Sequence, residues 1–128
     1  MPDSVIPEDV RGFIARNIDS IAQLEGLLLL RANPEALYNV ATIAERLYIS
    51  DAESEWLLQN LYGNGLIGQS KSSEYFYQPQ SPELAAMVEK LSDIYSRYLL
   101  AVTHFIHSKS KSRVQEFANA FRIRKDKD

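Results

Sequence analysis

The stretch from Asn39 to Gln78 constrains this chain most, because it carries its own punctuation. Asn39 has a side-chain oxygen suited to accept from the orphan amides of a first helical turn, and Val40, Ile43, Ala44 and Leu47 then recur on one face at helical spacing. Tyr48-Ile49 is a short connector. Ser50 and Glu53 make the S-x-x-E pattern of a capping box, in which serine and glutamate satisfy amides reciprocally, so a second helix starts there. Leu57, Leu58 and Leu61 supply its buried face, and Gly63-Asn64-Gly65 supplies residues that tolerate a left-handed backbone at its end. Two helices about three residues apart form a helix-turn-helix. Beyond it, Leu66–Gln69 and Glu74–Tyr77 are strand-like runs around the polar Ser70–Ser73, which is the chemistry of a hairpin.

The flanks predict further helices. Pro7 presets φ for a first turn, Glu8 and Asp9 suit the positive end of a helix dipole, and Val10, Phe13 and Ile14 form a stripe, so a helix is expected from Pro7 to about Arg16. Asn17, Asp19 and Ser20 are able to cap a second helix, while Ile18 and Ile21 equally allow one continuous helix. From Ile21 to Arg31 the leucines thicken the stripe into a cylinder, the pattern of a helix surrounded by others, and Asn33-Pro34 ends it. These N-terminal helices cover 7–31.

After the hairpin, Ser81-Pro82-Glu83 starts a long helix expected over 82–107. Its apolar residues Leu84, Val88, Leu91, Tyr95, Tyr98, Val102 and Phe105 step by four and three, with Met87, Ile94, Leu99 and Ile106 widening the face. So wide a stripe reads as partly packed on the body and partly a homodimer seam through those seven residues; packing wholly within one chain is the alternative. A polar linker at 108–112 precedes a short amphipathic helix expected over 112–124, capped by Ser112 and carrying Val114, Phe117, Ala118, Phe121 and Ile123. Arg113, Arg122, Arg124, Lys125 and Lys127 in this basic tail form either a basic rim in a dimer or a solubilising end.

Composition narrows the class. The 128 residues, 45% hydrophobic and 24% charged, suit one domain spanning 1–128 with enough apolar material for a core. Without cysteine the chain has no disulfide, thiolate metal site or cysteine nucleophile, and the cytoplasm is the expected location. No opening signal pattern is visible, and no apolar run approaches the roughly 20 residues that cross a bilayer, so no membrane partner is expected. The net charge of -3 conceals an asymmetry: residues 1–100 carry seven Lys/Arg against fourteen Asp/Glu, and residues 101–128 carry seven against three. An acidic body therefore bears a basic tail.

The "VATIAERLYIS", "LLQNLYGNGLI" and "YFYQPQS" segments resemble the winged helix of MarR-type bacterial transcription regulators, over about residues 40–78. The resemblance implies a mainly α fold with a small β-hairpin wing: a winged helix-turn-helix with extra N-terminal helices and a long C-terminal helix. It implies that the second helix of the pair lies in the major groove while basic wing residues meet phosphate. The groove-facing positions then fall on Ala52, Glu53, Glu55, Trp56, Gln59 and Asn60, and the wing offers Lys71. The carboxylates depart from the family's small polar and basic residues and repel a phosphate backbone. Gln59 and Asn60 have the amides to read adenine, and glutamate accepts from cytosine.

Two functions follow. One is a non-enzymatic, dimeric transcription regulator with weak or atypical DNA binding. The alternative is a protein–protein interaction module that uses the acidic face around Trp56 and binds no DNA, since an exposed aromatic on a helix face is a common hot spot. Trp56 turned inward to cover the core, and Glu53 and Glu55 acting only on the helix dipole, are the plainer readings of the same residues.

Catalytic patterns fail in turn, and no cofactor is expected. His104 and His107 are three apart, but no acidic residue stands within four positions to complete a metal site. Gly63–Gly68 matches G-x-G-x-x-G formally, yet the dinucleotide fingerprint follows a strand and opens a helix, the reverse of the order here. There is no G-x-S-x-G elbow and no phosphate-loop lysine.

Overall fold

The computed structural model describes residues 5–109. Pro7 stands at the N-cap position of α1 (Glu8–Asn17), with Glu8 and Asp9 in the first turn and Val10, Phe13 and Ile14 buried. The question of one helix or two is decided by a reciprocal cap. Ser20 Oγ accepts from Gln23 N at 3.0 Å, and Gln23 Oε1 accepts from Asp19 N at 2.7 Å. That S-x-x-Q pattern starts α2 (Ile21–Ala32) and leaves Ile18 extended and wholly buried between the helices. In α2, Leu24, Leu27 and Leu30 are fully buried while Leu28 and Leu29 are half-buried, so the expected cylinder is a broad stripe.

The two helices of the central motif start where their caps predict. Asn39 Oδ1 accepts from Thr42 N at 2.8 Å to open α3 (Val40–Leu47), and Ser50 Oγ accepts from Glu53 N at 3.1 Å to open α4 (Asp51–Gly63). Between them Tyr48 takes a left-handed conformation, φ 58°, at the C-cap of α3. Buried Ser54 donates to the carbonyl of Val40 at 2.8 Å and so pins α4 to the first turn of α3. Gly26 lets α2 approach from the other side: a Cβ there would lie 3.0 Å from Leu57 Cδ1 and 3.6 Å from Leu47 Cδ1.

The hairpin pairs β1 (Ile67–Gln69) with β2 (Tyr75–Tyr77) antiparallel, Ile67 opposite Tyr77 and Gln69 opposite Tyr75. Leu66 and Glu74 fall just outside the strands. Tyr38 adds a one-residue third partner that the sequence pattern did not show, exchanging two backbone bonds with Tyr75 at 2.9 and 2.7 Å. A single residue has no alternation to read. At the wing tip, Ser70 Oγ accepts from the amides of Ser72 and Glu74, both at 3.2 Å.

The long C-terminal helix is interrupted. Ser81 caps α5 (Pro82–Arg97), Tyr98 leaves the helical region at φ -129° and ψ 51°, and residues 99–109 are helical again as α6. The expectation of one helix over 82–107 is corrected here, and the reason is burial. The turn at Tyr98 brings Ala101, Val102 and Ile106 into the same buried cluster as Ile6, Val10, Leu24 and Leu91. It also sets Lys109 Nζ against the end of α1, donating to Ile14 O at 3.0 Å, Ile18 O at 2.6 Å and Asp19 Oδ1 at 3.0 Å. A cation on the last carbonyls of a helix complements its dipole.

Polar ties fix α5. Arg31 makes a fork to both Glu89 oxygens at 2.6 and 2.7 Å, Lys90 pairs with Asp9 at 2.7 Å, and the Tyr95 hydroxyl donates to Glu25 Oε1 at 2.7 Å. The guanidinium holds the Glu89 carboxyl below the usual carboxylate range, and Lys90 does the same for Asp9. No described helix is long and apolar enough to cross a membrane. The segment 112–124 and the basic residues Arg113, Arg122, Arg124, Lys125 and Lys127 lie outside the described residues.

Candidate nucleic-acid interface

Helix α4 is held from behind and open in front. Leu57, Leu58 and Leu61 are fully buried and Ser54 is clamped to α3, which leaves Asp51, Ala52, Glu53, Glu55, Trp56 and Gln59 exposed. Trp56 is 47% exposed, so it lies on the surface and does not turn in to cover the core. Asp51, Glu53 and Glu55 form no ion pair among the described residues, so their charges face solvent.

One of the two amides offered for adenine is engaged within the protein. Asn60 Nδ2 donates back to the carbonyl of Trp56 at 2.8 Å, while Gln59 lies near the Tyr75 hydroxyl. Gln69 Nε2 donates to that hydroxyl at 3.3 Å, a bond within the wing. Burial pushes the Tyr75 phenol above its ordinary value; Gln59 pulls it down, and the nearby Glu55 and Tyr62 push it up. A bidentate contact from Asn60 to a base requires that its internal bond break first.

The wing places Lys71 exposed at its tip, beside the half-buried Glu74. From Asn39 to Gln78 the carboxylates are Glu45, Asp51, Glu53, Glu55 and Glu74, against the two cations Arg46 and Lys71. Sequence reading missed Tyr48, which is 95% exposed in the turn, and Tyr62, which is 49% exposed near the end of α4. The signal for Tyr48 was its place in a two-residue connector, where no helical register assigns it an inward face. Between α4 and the wing, Gly65 at φ 77° accepts from Gln80 N at 2.8 Å, which stitches the segment leading to α5 onto the end of α4. Tyr62, Gln69, Gln78 and Gln80 border an open hollow of about 660 Å3 there.

The expected seam is mostly turned inward. Val88, Leu91, Tyr95 and Val102 are buried in the chain's own core, Leu84 and Phe105 are half-buried against it, and Tyr98 is 40% exposed. Helix α5 is seated on α1 and α2 and α6 joins the same core, which uses most of the stripe that the sequence offered to a second copy. What faces outward instead is a shoulder at the helix break, where Val5, Tyr98, Leu99 and Leu100 border a shallow apolar hollow. His104 and His107 are exposed on α6, His104 Nε2 lying 3.5 Å from Ser108 Oγ.

No protein-family model matches the chain, and no curated protein matches it. Among solved structures it is similar to MepR, a transcription regulator of the Staphylococcus aureus multidrug efflux pump MepA, at 16% identity over 94% of this chain and 89% of that one, with a TM-score of 0.51. It is similar also to a MarR family protein from Bacillus stearothermophilus, at 15% identity over 94% and 82% of the two chains and a TM-score of 0.51. A transcriptional regulator from Thermotoga maritima aligns at 13% identity over 92% and 84%, with a TM-score of 0.50. The chain has the fold of the MarR-type winged helices. The likeness runs well beyond the stretch 40–78 that first suggested it, taking in the flanking helices. At such identities the likeness describes architecture alone.

Proposed function

We propose that this winged helix is a non-enzymatic transcription regulator that binds DNA as a homodimer, weakly and in an atypical way. The observation that supports this most is the presentation of α4: a helix pinned by Ser54, closely approached by α2 at Gly26, and exposed along its outer face. In this reading Ala52, Glu53, Glu55, Trp56, Gln59 and Asn60 face the groove and Lys71 meets phosphate, while Arg113, Arg122, Arg124, Lys125 and Lys127 supply the remaining positive rim. The copies meet through the shoulder at Val5, Tyr98, Leu99 and Leu100, because the stripe first assigned to the seam is occupied by the core.

Charge sets the expected strength. Each phosphate neutralised contributes a slope near 0.9 in log affinity against log salt, so one lysine on each of two wings loses only about tenfold between 50 and 200 mM salt. Involvement of the tail makes the slope several times steeper. Shift assays with genomic fragments at low salt test the reading, and absence of any retardation there defeats it.

A second reading is favoured by one observation, the half-exposed Trp56 among carboxylates that form no ion pair with a described residue: a protein–protein interaction module that binds no DNA. Pull-downs with the natural chain and with Trp56→Ala separate the two. Identical partner lists count against the Trp56 face.

A further inference from the structure

The hairpin has a free edge at β1, and the polarity of that edge follows from the hydrogen bonds around it. Ser70 N donates to Glu74 O at 2.7 Å, so Ser70 and Glu74 are a hydrogen-bonded pair. In an antiparallel ladder such pairs alternate with non-bonded ones, which makes Gly68–Phe76 bonded and leaves Gln69–Tyr75 and Ile67–Tyr77 unbonded. Tyr75 fits this parity, because both its backbone groups turn away from β1 to Tyr38. The N–H and C=O of Ile67 and of Gln69 therefore point off the outer side of β1, and none of the four has a hydrogen-bond partner among the described residues. Ile67 is 3% exposed, and backbone groups so placed are ordinarily paired.

The hollow of about 660 Å3 at the end of α4 lies against this edge. Of the two strands it touches Ile67, Gly68 and Gln69 of β1 and no residue of β2, which sets it on the outer side of the hairpin. The half-exposed Tyr62 supplies an aromatic surface, and the carboxamides of Gln78 and Gln80, which have no hydrogen-bond partner among the described residues, stand at the rim. Gln78 Oε1 lies 2.7 Å from the place of a Gly68 Cβ, so the missing side chain is what lets that amide fold in. No residue lining the hollow is charged, and a charged ligand would lose its hydration there without a counter-ion. Its volume is that of a small-molecule site. A strand edge presents N–H and C=O side by side, the complement of a planar group that carries an acceptor next to a donor.

We propose that this hollow binds a small, neutral, planar molecule whose edge carries an acceptor beside a donor, the pattern shared by nucleobases, lactams and primary aromatic amides. That edge pairs with the backbone groups of Ile67 and Gln69, the ring lies on Tyr62, and Gln78 and Gln80 reach the remaining polar atoms. A bound ligand joins the end of α4 to the base of the wing. The site uses none of the residues assigned to DNA contact or to self-association, so it holds or fails apart from both.

The isotope-labelled full-length protein is titrated in amide-resolved NMR with adenine, benzamide, N,N-dimethylbenzamide and benzoate. Adenine and benzamide are expected to saturate with dissociation constants on the order of 1 mM, as suits ligands of about ten non-hydrogen atoms, and to shift the amide signals of Ile67 and Gln69 most. Dimethylbenzamide keeps the ring and the acceptor but lacks the donor, and benzoate is charged; each is expected to bind at least about tenfold more weakly. Tyr62→Ala, at an exposed position, is expected to weaken adenine by about fivefold or more through the lost stacking. Unmoved Ile67 and Gln69 signals in about 10 mM adenine and benzamide overturn the proposal. So do equal affinities for benzamide, its dimethyl derivative and benzoate, or an unaltered adenine affinity in Tyr62→Ala.

Discussion

The outer face of α4 and the shoulder at the start of α6 both present large apolar side chains to water, but their surroundings differ in kind. On α4 the half-exposed indole of Trp56 shares the exposed side of the helix with Asp51, Glu53 and Glu55, which form no ion pair among the described residues. On the shoulder Leu99 is 50% and Leu100 81% exposed, next to Tyr98 and Val5, and the neighbouring charge, Arg97, is paired with Asp93 at 3.3 Å. A surface of the first kind answers to ionic strength, because its free energy is dominated by screened charges. One of the second kind answers to area removed from water and is nearly indifferent to salt. The fold therefore offers two ways to associate, and salt separates them.

The largest expected effect breaks the shoulder. Leu99→Glu with Leu100→Glu is expected to weaken self-association by more than about 100-fold in sedimentation velocity, since burial of each leucine stabilises by about 1.5–3 kcal/mol and a two-fold contact counts each twice. The helical content is expected to stay unchanged, both residues being exposed in the single chain, while the melting temperature loses its dependence on protein concentration. An unaltered dissociation constant removes the shoulder from the interface. Next, Glu53→Lys with Glu55→Lys turns the α4 face towards phosphate, and DNA affinity in low-salt shift assays is expected to rise by about tenfold or more, with a steeper salt slope. No change in either quantity places α4 outside the DNA contact.

The third substitution tests how firmly α4 is presented. Gly26→Val inserts a branched side chain where a Cβ already sits 3.0 Å from Leu57 Cδ1, and overpacking of this kind costs about 1–3 kcal/mol, measured by denaturant melts. The smallest effect concerns the seating of α5 ahead of the shoulder. Burial, reinforced by the bond to Glu25, pushes the Tyr95 phenol up to about 12, from about 10 in the unfolded chain. The folded state then holds a proton that the unfolded state loses first, so this stabilisation is complete below about pH 10 and is lost as pH rises through about 12. Tyr95→Phe is expected to flatten that alkaline decline and to cost about 1 kcal/mol at neutral pH through the lost hydrogen bond. An identical alkaline decline in the variant refutes the assignment.

Much of the central motif was legible because its signals are local. Asn39, Ser50 and Ser81 each cap the helix that follows them, and a cap acts within four residues whatever the rest of the chain does. The Ser20–Gln23 cap is equally local, and the sequence offers Ser20 as a cap, but Ile18 and Ile21 suit one continuous helix as well. The break at Tyr98 carried no such mark: there is no glycine or proline, and the stripe runs through it without a missed step. The bridge at Tyr38 and the clamp from Ser54 to Val40 join residues far apart in the chain and leave no periodic trace.

By itself the sequence determined the starts of α3, α4 and α5, the hairpin, and the charge of the face that α4 would present, since capping, turn chemistry and ionisation are properties of a few adjacent residues. Tertiary structure alone decided which apolar side chains stay outside. A stripe states that a helix has an apolar face and is silent about what covers it: α1 and α2 cover Val88, Leu91 and Tyr95, while the turn that buries Val102 exposes Leu99 and Leu100. Whether Trp56 faced the core or the solvent was settled the same way, by the neighbours that hold α4 from behind.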